Sequence, residues 1–215
     1  MMSSVIISPE MMIYLLDMVG IGACTIAATT LALHKKFDLF GCILVSMVGS
    51  IGGGTIRDVM LDRYPLFWMT DLTYVFFITG VSVVCQVFFA FYQKVDWTLK
   101  FFDAIGLAAF SLIGLKVALS FGTPPVIAVM MGVLTSIAGG IMRDMICNEI
   151  PLVLQKEIYI SASIIGSCLY LLLSHWHVPT HLNETLTLMT IFSIRMLAIK
   201  YNWNLPQITI KPFLR

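Results

Sequence analysis

Two short stretches of this chain hold the residue types that could do chemistry. SIGGGTIRDVMLDRYPL begins at Ser50 and SIAGGIMRDMICNEIPL begins at Ser136. Eight of the seventeen aligned positions are identical, among them Gly53/Gly139, Gly54/Gly140, Arg57/Arg143, Asp58/Asp144 and Pro65/Pro151. Glycine costs about 1 kcal/mol against alanine inside a helix, so Gly52-Gly53-Gly54 and Gly139-Gly140 need a purpose. Small residues let transmembrane helices pack closely. A glycine run can also kink or unwind a helix, and its freed carbonyls then replace part of a cation's hydration shell. The recurrence of the run, each time three residues before Arg-Asp, favours a pathway. Its expected lining is Ser50, Gly52, Gly53, Gly54, Thr55, Ser136, Gly139 and Gly140.

Charges deep in apolar segments are costly and are usually paired or turned toward water. Arg57-Asp58 and Arg143-Asp144 lie late in such segments, near opposite membrane faces. Helix neighbours point about 100° apart, so each Asp is expected to pair with another helix, such as the other copy's Arg. The pairs then serve as interhelical ties or as charged vestibules at the pore mouths. Asp17 and Asp103 stand near the start of their helices, where an acid suits the dipole; attracting cations is the alternative. Lys116 either snorkels to the interface or acts as a gate or voltage-sensing charge. Arg195 is expected to snorkel. The outer segment HWHVPTH lacks helical ligand spacing and an acid partner, so a metal is not expected. No nucleophile elbow, P-loop or paired-carboxylate motif appears, which speaks against an enzyme and against a cofactor.

These residues are carried by apolar elements. Of 215 residues, 59% are hydrophobic and 12% charged, about half the charge of a soluble domain. A spanning helix needs about 20 apolar residues, and seven spans can be read at about 11–33, 38–60, 70–92, 100–120, 124–146, 157–174 and 184–200. The expected fold is therefore an all-α integral membrane protein forming one membrane domain over 1–215. The same 86-residue offset that separates Ser50 from Ser136 pairs Asp17 with Asp103, Gly20 with Gly106 and Gly80 with Gly166. Repeat one covers about 10–92, repeat two about 96–178, and an extra helix about 184–200. Three spans per copy invert the second copy, and such folds work at the repeat interface through helices interrupted in equivalent positions. Here those are the second and fifth spans, expected to be kinked at their glycines.

Short cytoplasmic loops collect Lys and Arg. Lys35, Lys36, Lys94, Lys100, Lys156, Lys200, Lys211 and Arg215 fall on one side, against Arg63 and Arg57 on the other. The N-terminus is thus expected outside and the C-terminus in the cytoplasm. MMSSVIISPE has no basic region, so no cleaved signal peptide is expected. A net charge of +1 argues against nucleic acid as a partner. Cys24, Cys42, Cys85, Cys147 and Cys168 all lie in apolar segments, as small hydrophobes would.

GGGTIRD, AGGIMRD, the stretch NEIPLVLQKEIY and the three-plus-three-plus-one layout resemble prokaryotic members of the TRIC family, the trimeric intracellular cation channels. The resemblance covers about residues 8–200. It implies a homotrimer in the bacterial inner membrane, with membrane lipid around it. Each protomer would hold its own pore, permeable to potassium, sodium and other monovalent cations and lined by the kinked second and fifth helices. Bacterial sequences with the same domain are often labelled glycine transporters, so uptake of a small amino acid is the rival expectation. A non-transporting scaffold or membrane enzyme is the third.

Overall fold

The structure, a computed structural model, describes residues 9–88, 95–154 and 158–203. Among these there are eight α-helices and no strand: α1 (Pro9–His34), α2 (Leu39–Met60), the single-turn α3 (Phe67–Thr70), α4 (Thr73–Phe88), α5 (Val95–Ser120), α6 (Pro125–Ile146), α7 (Ile160–His175) and α8 (Thr180–Tyr201). Local chemistry sets the ends. The Asp38 side chain caps α2 by accepting from Gly41 N at 2.7 Å, and Pro125 occupies the first turn of α6, where its missing N–H costs nothing. After α2 and α6 the chain turns through Asp62 (φ 52°) and Asn148 (φ 53°), residue types that tolerate the left-handed region.

Five helices (α1, α2, α5, α6 and α8) are long and apolar enough to cross a bilayer. α4 and α7, at 16 residues each, are shorter than the expected third and sixth spans. The third span's last residues, 89–92, lie outside the described residues, as do Lys94, Lys156, Lys211 and Arg215. The surface is inverted relative to a soluble protein. Phe40, Phe76, Val87 and Val126 are each at least 70% exposed, while Thr25, Asp58, Arg143 and Arg195 are buried. Apolar residues at such exposure face lipid at no cost, whereas water would penalise them.

α5 is the central helix: its apolar window is 72% buried, against 33–39% for the other four long helices. It packs on α1, α6, α7 and α8, and α2 crosses α6 beside it. Where these elements meet, side chains are small. Thr29, Ser46 and Ser82 form a buried hydroxyl triangle tying α1, α2 and α4, with Thr29–Ser46 at 2.7 Å and Thr29–Ser82 at 3.0 Å. Ser111 and Ser163 tie α5 to α7 at 2.7 Å. Hydroxyls of this kind join helices where hydrocarbon offers no other partner.

The glycine runs correct the expectation of an unwound turn and leave that of a kink as it stood. α2 and α6 remain helical through Gly52-Gly53-Gly54 and Gly139-Gly140, so neither is unwound there. The glycines instead permit a backbone-to-backbone crossing. A Cβ at Gly53 would strike the carbonyl of Thr135, and one at Gly139 would strike the carbonyl of Gly49. Gly53→Ala or Gly139→Ala should therefore lower stability by about 1–3 kcal/mol through overpacking, seen as a lower thermal midpoint in detergent. Gly80, with nothing within 4 Å, supplies the control: Gly80→Ala should be neutral or slightly stabilising.

Candidate functional site

The crossing of α2 and α6 encloses a cavity of about 10 Å³, room for about one water molecule. Ser50, Gly53, Ser136, Gly139 and Gly140 line it, as the sequence suggested. Gly52, Gly54 and Thr55 do not. Gly52 faces Met142 and Gly54 faces Phe67, while the Thr55 hydroxyl donates to the Ile51 carbonyl and accepts from Trp68 Nε1 at 3.0 Å. The rest of the lining comes from residues the motif did not flag: Cys24, Gly49, Leu107, Phe110, Thr135 and Tyr159, together with Asp103. Ser50 is held by Thr25 at 2.9 Å. Hydroxyls and one carboxylate thus meet at a point walled by hydrocarbon.

Asp103 belongs to a buried cluster. One of its oxygens, Oδ1, accepts from Arg143 Nη1 at 2.9 Å, and Oδ2 accepts from the Tyr159 hydroxyl at 2.7 Å. Arg143 Nε donates to Asp144 Oδ1 at 2.7 Å, and Leu152 N donates to Asp144 Oδ2 at 3.0 Å. Arg143, Asp144 and Asp103 are 2–3% exposed. The guanidinium therefore joins α5 to α6, and its two carboxylates are each fixed from behind.

The first copy is related but looser. Arg57 Nε donates to Asp58 Oδ1 at 2.8 Å, and Phe67 N donates to Asp58 Oδ2 at 3.3 Å. Asp17 accepts from the Tyr74 hydroxyl at 2.8 Å, as Asp103 does from Tyr159. No Arg57–Asp17 ion pair occurs among the described residues to match Arg143–Asp103. These contacts overturn the expected pairing across the copies: each Arg closes on its own neighbouring Asp. Although helix neighbours point about 100° apart, a guanidinium on a three-carbon stem reaches around the helix to the adjacent carboxylate. With Arg57 and Asp58 at 4% and 0% exposure, both pairs act as buried ties, and Asp144 also borders a cleft that opens on the surface.

Two further expectations change. Lys116 does not snorkel: its ammonium pairs with Glu184 on α8, a residue the sequence reading passed over although it is an acid within an apolar span. Arg195 is fully buried. Its guanidinium lies 4.7 Å over the Tyr159 ring, and Nη1 donates to the Ile158 carbonyl at 3.2 Å. Tyr159 is therefore held on two sides, by Asp103 and by Arg195. Near the end of α6, Lys35 bridges Glu149 at 2.6 Å and holds that carboxyl below the usual carboxylate range.

Removing one partner of a buried ion pair strands the other. Arg143→Ala should cost about 3–5 kcal/mol by leaving Asp103 and Asp144 uncompensated, read as a large fall in thermal midpoint. Breaking the exposed Lys35–Glu149 pair with Lys35→Ala should change the midpoint little.

Comparison with known proteins gives a consistent result. The family described as glycine transporter matches the chain twice, over residues 14–90 and 100–175. The UPF0126 inner membrane protein YadS of Escherichia coli is 36% identical over 198 residues, 91% of this chain and 96% of its own. The structure of the TRIC trimeric intracellular cation channel orthologue from Rhodobacter sphaeroides superposes with a TM-score of 0.86 at 35% identity, covering 89% of this chain and 98% of that one. A prokaryotic TRIC channel solved in KCl superposes at 0.85 with 31% identity, covering 91% of this chain and all of that one. By sequence over most of its length and by fold, the chain belongs to the TRIC family, the same membrane-protein family that carries the glycine-transporter description.

Proposed function

We propose that this chain is a passive channel for monovalent cations, potassium and sodium among them, in the bacterial inner membrane. Its path runs through the glycine crossing of α2 and α6, one path in each protomer of a homotrimer. The observation that carries the reading is the small cavity at that crossing, to whose lining Ser50, Ser136 and Asp103 bring oxygen atoms inside an apolar shell. Hydroxyl oxygens and a carboxylate suit a dehydrating cation. Because the helices are not unwound, the oxygens on offer are side-chain ones and not freed helix carbonyls. At about 10 Å³ the path is closed, and conduction requires the crossing to widen.

The wider frame belongs to the same proposal. The chain forms a single membrane domain over 1–215, with seven spans arranged as inverted repeats at about 10–92 and 96–178 and an extra helix at 184–200. Support comes from the double family match, whose two starts keep the 86-residue offset, and from the Asp17–Tyr74 and Asp103–Tyr159 pairs at related positions. The N-terminus lies outside and the C-terminus inside, on the weight of Lys35, Lys36, Lys100 and Lys200 against Arg63. The names of the relatives, an inner membrane protein and trimeric cation channels, agree with the location and the trimer.

Glycine transport is the second reading, favoured by the family description. Asp103 and Arg143 could meet the ammonium and carboxylate of a zwitterion, but the cavity as it stands is too small for an amino acid. Purified protein in liposomes separates the two. The channel reading predicts rapid collapse of a potassium gradient whether or not glycine is present. Saturable glycine accumulation without potassium flux would replace it with the transporter.

A further inference from the structure

A cleft of about 250 Å³ opens on the face where α1 ends and α5 begins, and His34, Asp96, Lys100, Asp144 and Glu149 are among its lining. It ends at Asp144. The central cavity, in turn, is bounded by Asp103. What lies between these two carboxylates is the Arg143 guanidinium, 2.7 Å from one and 2.9 Å from the other. We propose that Arg143 is the plug separating this cleft from the central cavity, and that the path opens when its side chain leaves Asp103. The inference rests on the cation-channel reading for what passes, and on geometry alone for where the path is shut.

Three observations favour a movable plug over a permanent tie. First, Arg143 Nη2 is buried with no hydrogen-bond partner among the described residues, so the guanidinium is held by two of its three nitrogens. Second, the space beside it is kept by a glycine. A Cβ at Gly140 would come no closer than 3.7 Å to Arg143 Nη2 or Asp103 Oδ1 and 4.0 Å to the Tyr159 hydroxyl, so a side chain can shift there without striking backbone. Third, Arg57 shows that such an arginine can be held without a carboxylate from the neighbouring helix, since it pairs with Asp58 and lies 5.7 Å over the Phe67 ring, with no bond to Asp17. Arg143 released from Asp103 would adopt that same arrangement on Asp144, with its charge still compensated. The two ends of the path are therefore unequal: a clamp across two helices shuts one, and a pair within one helix stands at the other.

The charges also explain how a plug of this kind would act. A guanidinium beside Asp103, the only carboxylate of the cavity among the described residues, neutralises it and repels an arriving cation. Once it swings to Asp144 alone, Asp103 regains a free oxygen facing the cavity and becomes a cation ligand. Tyr159, held at its ring by Arg195, keeps Asp103 in place through its hydroxyl and acts as a positioning residue.

The test uses Cys24, which lines the cavity, as a reporter. The purified protein is treated with the small cationic reagent aminoethyl methanethiosulfonate, and the adduct at Cys24 is followed by peptide mass. Asp103→Asn, which keeps the acceptor for Tyr159 but releases Arg143 to Asp144, should speed modification about tenfold, the worth of one charge-assisted hydrogen bond. Tyr159→Phe, which leaves every charge in place, should speed it by a smaller factor. Asp17→Asn should leave the rate at the wild-type value. Asp103→Asn and Tyr159→Phe both reacting at the wild-type rate would overturn the plug, and so would an equal rise in Asp17→Asn. Should Asp103→Asn fail to fold, Tyr159→Phe decides alone. The thiol readout needs no current, so a wild-type protein without potassium flux would defeat the channel reading while the plug is still judged on Cys24.

Discussion

A charge placed in hydrocarbon must be compensated where it stands, and the compensation of Arg143 organises the second half of this molecule. Its guanidinium lies between Asp103 on α5 and Asp144 on its own helix. Each carboxylate spends its other oxygen on a further anchor, Tyr159 for Asp103 and the Leu152 N–H for Asp144. Tyr159 in turn sits under Arg195 of α8. One buried cation thus sets the relative positions of α5, α6, α8 and the segment leading into α7. An isolated ion pair of this kind would be weak evidence for stability, because desolvation offsets attraction. In the bilayer interior the alternative is an unpaired charge, so the cluster is required once its first member is present.

The backbone contact between α2 and α6 is the second constraint, and it bears on the first. Because Gly53 and Gly139 bring the two helices together at carbonyl distance, no large side chain can fill the crossing. The space left over is bounded by Ser50, Ser136 and Asp103 together with the apolar Leu107 and Phe110. The same small residues that permit close packing therefore leave a place where a polar ligand can be met within the apolar shell. Close packing and the cavity are two results of one choice of residue, which is why the two readings of the glycines do not exclude each other.

Much of this was legible in the sequence. The apolar spans, the 86-residue offset and the Gly-Gly-x-x-Arg-Asp pattern are all local or periodic, and five lining residues of the cavity follow from them. What was hidden depended on reach and on three-dimensional neighbours. The spacing of Gly52, Gly54 and Thr55 gives no hint that they turn toward Met142, Phe67 and Trp68. That Arg57 and Arg143 curl onto their own neighbours reflects side-chain length, which a helical wheel ignores. Glu184 as the partner of Lys116 could have been found by asking which acid in an apolar span remained unassigned. Tyr74 and Tyr159 carry no such signal, because a tyrosine in a membrane segment looks like any aromatic until its hydroxyl is seen on a carboxylate.

The central claim is that a cation crosses each protomer through the glycine crossing, and the reversal potential tests it most directly. Single channels would be recorded in planar bilayers with a potassium chloride gradient and no glycine. The account predicts discrete current steps whose reversal potential lies toward the potassium equilibrium potential. An absence of unitary steps, or a reversal potential toward that of chloride, would contradict it.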